Sequence, residues 1–165
     1  MSKNFITQNG YIKLQNELKH YKNIERPEIT KAIQIAREFG DLSENADYSA
    51  AKEKQSSIES RILFLENLLT SVEIYNIKPA SSDSDPNLIV QFSATVTLLD
   101  LENGDKIITY SIVSEYESDL SKKLISYTSP MAQSLIGSKK GDIIEVSTNN
   151  KNYEILKIEY KEIIV

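Results

Sequence analysis

Glu38, Asp41, Glu44 and Asp47 fall in one short stretch, Arg37-Glu38-Phe39-Gly40-Asp41-Leu42-Ser43-Glu44-Asn45-Ala46-Asp47-Tyr48, with a basic side chain only at its first position. Two chemistries suit Asp41 and Glu44. In the first they form a capping box, Asp41 capping a helix that starts here and Glu44 reaching back to the Asp41 amide. In the second they are hard oxygen ligands for Mg²⁺ on an exposed tip. One or two carboxylates do not hold Mg²⁺ tightly alone, so a partner would supply the remaining ligands. A capping carboxylate keeps free lone pairs, and both readings stay open on spacing alone. Arg37 and Lys52 flank the acids. Each reads either as a solvated charge, with Arg37 complementing a helix C-terminus, or as a contact to the phosphates of a nucleic-acid strand passing the tip. Tyr48 reads as packing, with base stacking as the alternative. Phe39 is an apolar residue at a loop tip and a candidate partner contact.

The elements that must position these residues are legible on either side. Thr7 is placed to cap a helix starting at Gln8. Tyr11, Leu14, Leu18 and Tyr21 then follow the three-four rhythm of a coiled coil. Glu25-Arg26-Pro27-Glu28 interrupts it, because proline removes a backbone donor and disfavours helix in the residue before it, so a kink or short break is expected. Ile29, Ala32, Ile33 and Ala36 rebuild an apolar stripe, which Gly40 ends as a C-terminal cap. Tyr48, Ala51, Gln55, Ile58, Ile62, Leu65, Leu69 and Val72 give a second helix. Pairing Tyr11 with Val72, Leu14 with Leu69, Leu18 with Leu65, Tyr21 with Ile62 and Ala32 with Ala51 gives residue numbers with one constant total. That is the signature of a single antiparallel hairpin, and its midpoint falls between Asp41 and Leu42. At the helical rise per residue the arm is about 45 Å long, with the acidic bend at its far end.

Tyr75 to Asn87 carries two prolines and a Ser/Asp run and reads as a linker. Beyond it the period changes to two. Strands are expected over Leu88–Leu99 and Lys106–Val113, joined by a turn at Asn103-Gly104. Further strands are expected over Leu124–Tyr127, Ile143–Ser147 and Tyr153–Tyr160. Pro130–Ile136 fits a short helix capped by Ser129 and ended by Gly137. The expected fold is α+β: a hairpin arm over 1–75, a linker over 76–87 and a sheet domain with one short helix over 88–165. In the sheet half Ile125, Pro130 and Ile136 read as core or turn residues, and no nucleophile, base and orienter occur together, so docking is its expected role. Phe39, Ile125 and Pro130 are the candidate partner-binding residues.

Composition narrows the function classes. The chain has 165 residues, 26% charged and 40% hydrophobic, with a formal net charge of −5. Such a chain is neither disordered nor membrane-embedded in expectation, and no apolar run approaches the roughly 20 residues of a membrane span. The acidic balance argues against a binder that holds nucleic acid by bulk positive charge. Cysteine is absent and His20 is the only histidine, which excludes disulfides and thiolate metal sites and disfavours histidine-rich ones. His20 reads as a solvated helix residue. A cytoplasmic monomer without membrane contact is the expectation.

These residues resemble the bacterial transcript cleavage factors of the GreA/GreB family, closer to the GreA branch. The resemblance spans nearly the whole chain: Ile6-Thr7 with Gly10-Tyr11 and Leu14, Arg26-Pro27-Glu28-Ile29, Gly40 to Tyr48, then Ser129-Pro130, Leu135-Ile136-Gly137 and Gly141-Asp142. It implies an antiparallel coiled-coil arm and a C-terminal FKBP-like domain that docks at the rim of the RNA polymerase secondary channel. Asp41 and Glu44 would then be the catalytic tip, steadying a second Mg²⁺ shared with polymerase and orienting the attacking water. The free protein would hold no cofactor, and the cleaving enzyme would be polymerase itself. Arg37 and Lys52 match positions near the 3′ end of backtracked nascent RNA. Many relatives carry arginine where this chain has Lys52, and a basic residue where it has Ser43, so the basic patch here is small. A second class stays in view: a channel occupant that binds without stimulating cleavage, or a prolyl-isomerase-like adaptor.

Overall fold

The structure, a computed structural model, describes residues 4–38, 45–76, 87–104, 106–148 and 150–165. It divides into two compact units, Tyr11–Val72 and Met1–Gly10 with Glu73–Val165. The first ten residues thus belong with the sheet unit rather than with the arm to which the sequence reading assigned them. Most of the expected linker lies outside the described residues.

In the helical unit α1 (Gln8–His20) is capped as expected, Thr7 Oγ1 accepting from the Gly10 N–H at 3.0 Å. The expected break before Pro27 is instead a π-helical turn, Tyr21–Glu25, in which the Arg26 N–H donates to the Tyr21 carbonyl. α2 (Arg26–Glu38) follows without interruption. The π turn admits one extra residue into the helical path. Of the expected stripe Ile29, Ile33 and Ala36 are buried, whereas Ala32, also expected on the inner face, is exposed. α3 (Ala46–Ser71) packs Ile58 and Ile62 against Ile29 and Ile33, with Leu18, Tyr21, Tyr48 and Ala51 at the edges. Ion pairs run between the two sides of the hairpin. Arg61 pairs with Glu17 at 2.6 Å, Lys22 pairs with Glu66, Lys54 lies 3.5 Å from Glu25, and Arg26 makes a bidentate contact to Glu59 at 2.7 and 2.5 Å. The Arg26 guanidinium holds the Glu59 carboxyl below its ordinary range. Exposed pairs of this kind contribute little stability individually. His20 is half-exposed beside Glu25.

In the sheet unit β1 (Asn4–Ile6) pairs with β2 (Val72–Ile74), and the Tyr75 N–H donates to the Ile6 carbonyl at 2.8 Å. Neither strand was expected, and α3 stops at Ser71, one residue short of the expected stripe. The main sheet has the order β5-β4-β3-β7-β6. Its strands are β3 (Thr95–Asp100), β4 (Lys106–Val113), β5 (Leu124–Ser126), β6 (Ile143–Val146) and β7 (Lys151–Glu159). Only β4 and β5 run parallel. The first expected strand begins late because Ser93 adopts a positive φ of 69° and turns the chain before Thr95. The β3–β4 connection runs from Leu101 to residue 105 rather than as a two-residue turn. Asp100 holds it, accepting from the Glu102 and Asn103 N–H groups and from Asn103 Nδ2, and these bonds keep its carboxyl below the ordinary range.

Opposite β3 the ladder slips between Thr97 and Leu98, so that Leu156 has no direct partner. This bulge resets the alternation, and Tyr153, Ile155 and Ile158 of one strand all reach the core. That core joins Val96, Leu98, Ile112, Ile125, Ile144 and Val146 to Ala132 and Leu135 of α4 (Pro130–Leu135). The Ser129 side chain accepts from the Ala132 N–H as its cap.

Tyr160 fastens the chain entering this sheet. Its hydroxyl donates to the Ile89 carbonyl at 2.7 Å and accepts from the Gln91 N–H at 2.9 Å. Burial pushes the phenol up from 10.0 to about 12. The folded state therefore favours the neutral phenol, a contribution fully present below the ordinary value and lost as pH rises through the folded one. Tyr160→Phe is expected to lose about 1–2 kcal/mol at neutral pH in urea unfolding. The gap from the parent should narrow over the alkaline range between the two values, because only the parent carries this titration.

Candidate functional site

The bend between α2 and α3 is approached from both sides by described residues, whereas Phe39, Gly40, Asp41 and Glu44 lie outside them. α2 is described to Glu38, with Arg37 in its last turn. On the other side Asn45 is the N-cap of α3, in an extended conformation (φ −85°, ψ 99°), and its Oδ1 accepts from the Tyr48 N–H at 3.0 Å. This corrects the capping-box reading. A helix started at Asp41 would have to run through Asn45 in helical geometry to become α3, and Asn45 is not helical. The cap belongs to Asn45, so α3 needs neither Asp41 as its cap nor Glu44 at the third helical position.

The same Asn45 side chain donates from Nδ2 to the Ala36 carbonyl at 2.9 Å. It thus satisfies one unpaired carbonyl at the end of α2 and one unpaired N–H at the start of α3. Sequence reasoning did not single it out. The available signal was an asparagine directly before a helical run with Asp47 in the first turn.

Arg37 and Lys52 come together below the bend. Both line a groove of about 510 Å³ between α2 and α3, with Thr30, Gln34, Glu38 and Gln55. The Arg37 guanidinium lies 5.8 Å from the centre of the Tyr48 ring, which turns Tyr48 into a platform for a cation as well as a packing residue. Lys52 Nζ donates to Gln55 Oε1 at 2.9 Å. Both cations are exposed, and the groove they line also carries the Glu38 carboxylate, the amides of Gln34 and Gln55, and Ile33 at its floor. Gln34 and Thr30 carried no sequence signal for this.

In the sheet unit Pro130 is exposed at the first position of α4. Ile125, in contrast, is 4% exposed and belongs to the sheet core. Its candidacy as a contact residue is therefore corrected: its neighbours leave no face for a partner, and it serves by holding β5 in the sheet. Among the described residues no group of three or more His, Cys, Asp or Glu side chains is placed to hold a metal ion. No described helix is long and apolar enough to cross a membrane.

Fold and site together define an α+β protein with a helical hairpin bearing a basic groove beside its bend and a separate mixed-sheet unit. Family models match both parts: "Transcription elongation factor, N-terminal" over residues 4–74 and "Transcription elongation factor, GreA/GreB, C-term" over residues 85–160. The chain is 48% identical over 158 residues to the transcription elongation factor GreA of Rickettsia canadensis, covering 94% of each chain. It is 51% identical over 157 residues to that of Orientia tsutsugamushi, covering 94% of this chain and 95% of the relative. Among solved structures, a GreA factor homolog 1 of Thermus thermophilus aligns with a TM-score of 0.42 at 24% identity, over 96% of this chain and 99% of the other. The chain belongs to the GreA/GreB family of transcription elongation factors.

Proposed function

We propose that this chain enters the secondary channel of bacterial RNA polymerase and stimulates the polymerase's own cleavage of backtracked RNA near its 3′ end, releasing arrested complexes. The observation that carries this reading is the pairing of Arg37 and Lys52 in one groove beside a bend whose two acids are not needed to cap α3. The family and the full-length likeness to GreA factors support it. In this reading the protein has no hydrolytic activity alone and works as a cytoplasmic monomer, its sheet unit docking on polymerase through exposed residues such as Pro130.

The reaction is hydrolysis of a phosphodiester. Water adds to phosphorus, the bond to the 3′ oxygen breaks, and the shortened RNA keeps a new 3′ hydroxyl in the active site. Asp41 and Glu44 orient the attacking water. Their donors are the hard oxygens that Mg²⁺ prefers, and they are too few for a closed site, so they would hold the ion only jointly with polymerase. An ion held there by Asp41, Glu44 and polymerase would supply Lewis-acid neutralisation of charge on the phosphoryl oxygens. Arg37 and Lys52 hold phosphates of the extruded strand and read no base.

The test is a stalled, backtracked polymerase with and without the protein. Faster release of a short 3′ fragment is the expected result, and channel occupancy without faster cleavage would make the chain a binding-only occupant. Arg37→Ala and Lys52→Ala should each weaken stimulation to the same degree on transcripts of different sequence and lower its salt dependence by about one charge. Lys52→Arg should strengthen it, because guanidinium engages phosphate with two parallel donors. Calorimetry of the free protein should show Mg²⁺ binding that is weak or absent; tight stoichiometric binding would mean a self-contained metal site.

A further inference from the structure

We propose that Asn45 is a positioning residue for the tip: its carboxamide clasps the end of α2 to the start of α3 and so fixes the base from which the intervening acids are presented. This rests on the reading that Asp41 and Glu44 act in cleavage. The clasp is a single planar group with both ends engaged, Oδ1 by the Tyr48 N–H at 3.0 Å and Nδ2 by the Ala36 carbonyl at 2.9 Å. Donor and acceptor sit on one rigid amide, so the two helix ends are held at a set separation and angle. Ala36 is 6% exposed and Asn45 is half-buried, so both bonds are partly buried. The Asn45 carbonyl also accepts from the Ser49 N–H at 3.1 Å, continuing the helix from the clasp.

The consequence extends to the basic groove. Tyr48, whose amide the clasp holds, places its ring against the Arg37 guanidinium. One side chain therefore ties together the helix carrying Arg37, the residue on which Arg37 rests, and the start of the helix carrying Lys52. Few residues provide these functions at this size. Aspartate keeps the acceptor and cannot donate to a carbonyl; serine caps equally well but is a carboxamide shorter; alanine does neither.

Asn45→Asp and Asn45→Ser separate the clasp from the cap, since each retains a capping oxygen and removes the bond to Ala36. Both should keep the parent's helical circular dichroism and the parent's half-saturating concentration in competition for polymerase. Both should lower the maximal cleavage rate at saturating protein by about ten-fold or more, the scale on which small misplacements of catalytic groups are felt. A role in stability alone would move melting or half-saturation and leave the saturated rate unchanged. Parent-like saturated rates in both variants overturn the inference. A loss confined to Asn45→Asp also overturns it, since the cause would be the added charge. Asp41→Asn and Glu44→Gln are measured beside them. If those keep the parent's rate, the reading of the acids fails and the clasp role with it; if those lose cleavage while the Asn45 variants do not, the clasp alone fails.

Discussion

Asp41→Asn and Glu44→Gln are each expected to abolish most stimulation of RNA cleavage while leaving the protein folded and bound. Each substitution keeps size and hydrogen-bonding oxygen and removes the formal negative charge that the proposed function assigns to holding Mg²⁺ jointly with polymerase. Stabilisation of transition-state charge by a second metal is worth several kcal/mol, and each 1.4 kcal/mol is about ten-fold in rate. A fall on the order of 10²–10³ in the saturated cleavage rate follows. Stability should barely change, because the cap of α3 is Asn45 rather than Asp41. A melting shift of a few degrees, matching about 1 kcal/mol or less, is the expected ceiling. Competition with the parent for the channel should persist, since in the proposed function docking would rest on the sheet unit and the arm rather than on these two carboxylates. Cleavage at the parent's rate on a backtracked complex would leave Asp41 and Glu44 as solvated acids at a bend.

The largest effect on stability is expected at Gly10, far from the tip in sequence. Glu117 is 3% exposed. Its carboxylate accepts from the Thr7 N–H and the Ser114 N–H at 3.2 Å each, from Ser114 Oγ at 2.6 Å, and from Thr7 Oγ1. Gly10 lies against this carboxylate: a Cβ there would stand 2.1 Å from Glu117 Oε1 and 2.3 Å from Cδ. The glutamate is flexible in principle but cannot retreat without breaking these bonds and stranding buried donors. Gly10→Ala is therefore expected to cost about 2–4 kcal/mol, the sum of lost charge-assisted bonds and unpaired buried groups. Chemical unfolding followed by circular dichroism measures it. Glu117→Ala should cost a comparable amount through the same stranded donors. In the double variant the alanine methyl meets no carboxylate, so its loss should fall clearly short of the two single losses combined. Strict additivity would mean that the close approach is relieved without cost and that Gly10 is needed for something else.

How far the site was legible follows from the range of the interactions involved. Cap candidates Asp41 and Asn45 both precede a helical run, and both types cap well. Choosing between them needs the Ala36 carbonyl, which only the folded hairpin brings to Asn45. The π turn was legible only as a disturbance at Pro27. Which member of the expected stripe turns outward, Ala32 rather than Ile29, Ile33 or Ala36, depends on how the helix absorbs the missing donor. Ile125 fell among plausible contacts because a short strand of apolar residues looks alike from either face; its burial is set by neighbours from β3, β4 and α4.

Short-range periodicity encodes two antiparallel helices joined between Glu38 and Asn45, a period-two half with a Ser129-capped helix, and a cluster of acids in the sequence between Arg37 and Lys52. Apolar spacing is written in consecutive residues, and hydrophobic burial follows it whatever the distant chain does. Tertiary structure alone decided the features that need partners far along the chain. β1 is three residues long and acquires its pattern only by pairing with β2. The bulge at Leu156 exists only relative to β3. Glu117, which by composition alone would be a surface acid, is buried because Thr7, 110 residues away, brings it hydrogen-bond donors. A charge goes inside only where such donors await it; Ser114 supplies two of them from three residues away, but no local window of sequence contains the two from Thr7.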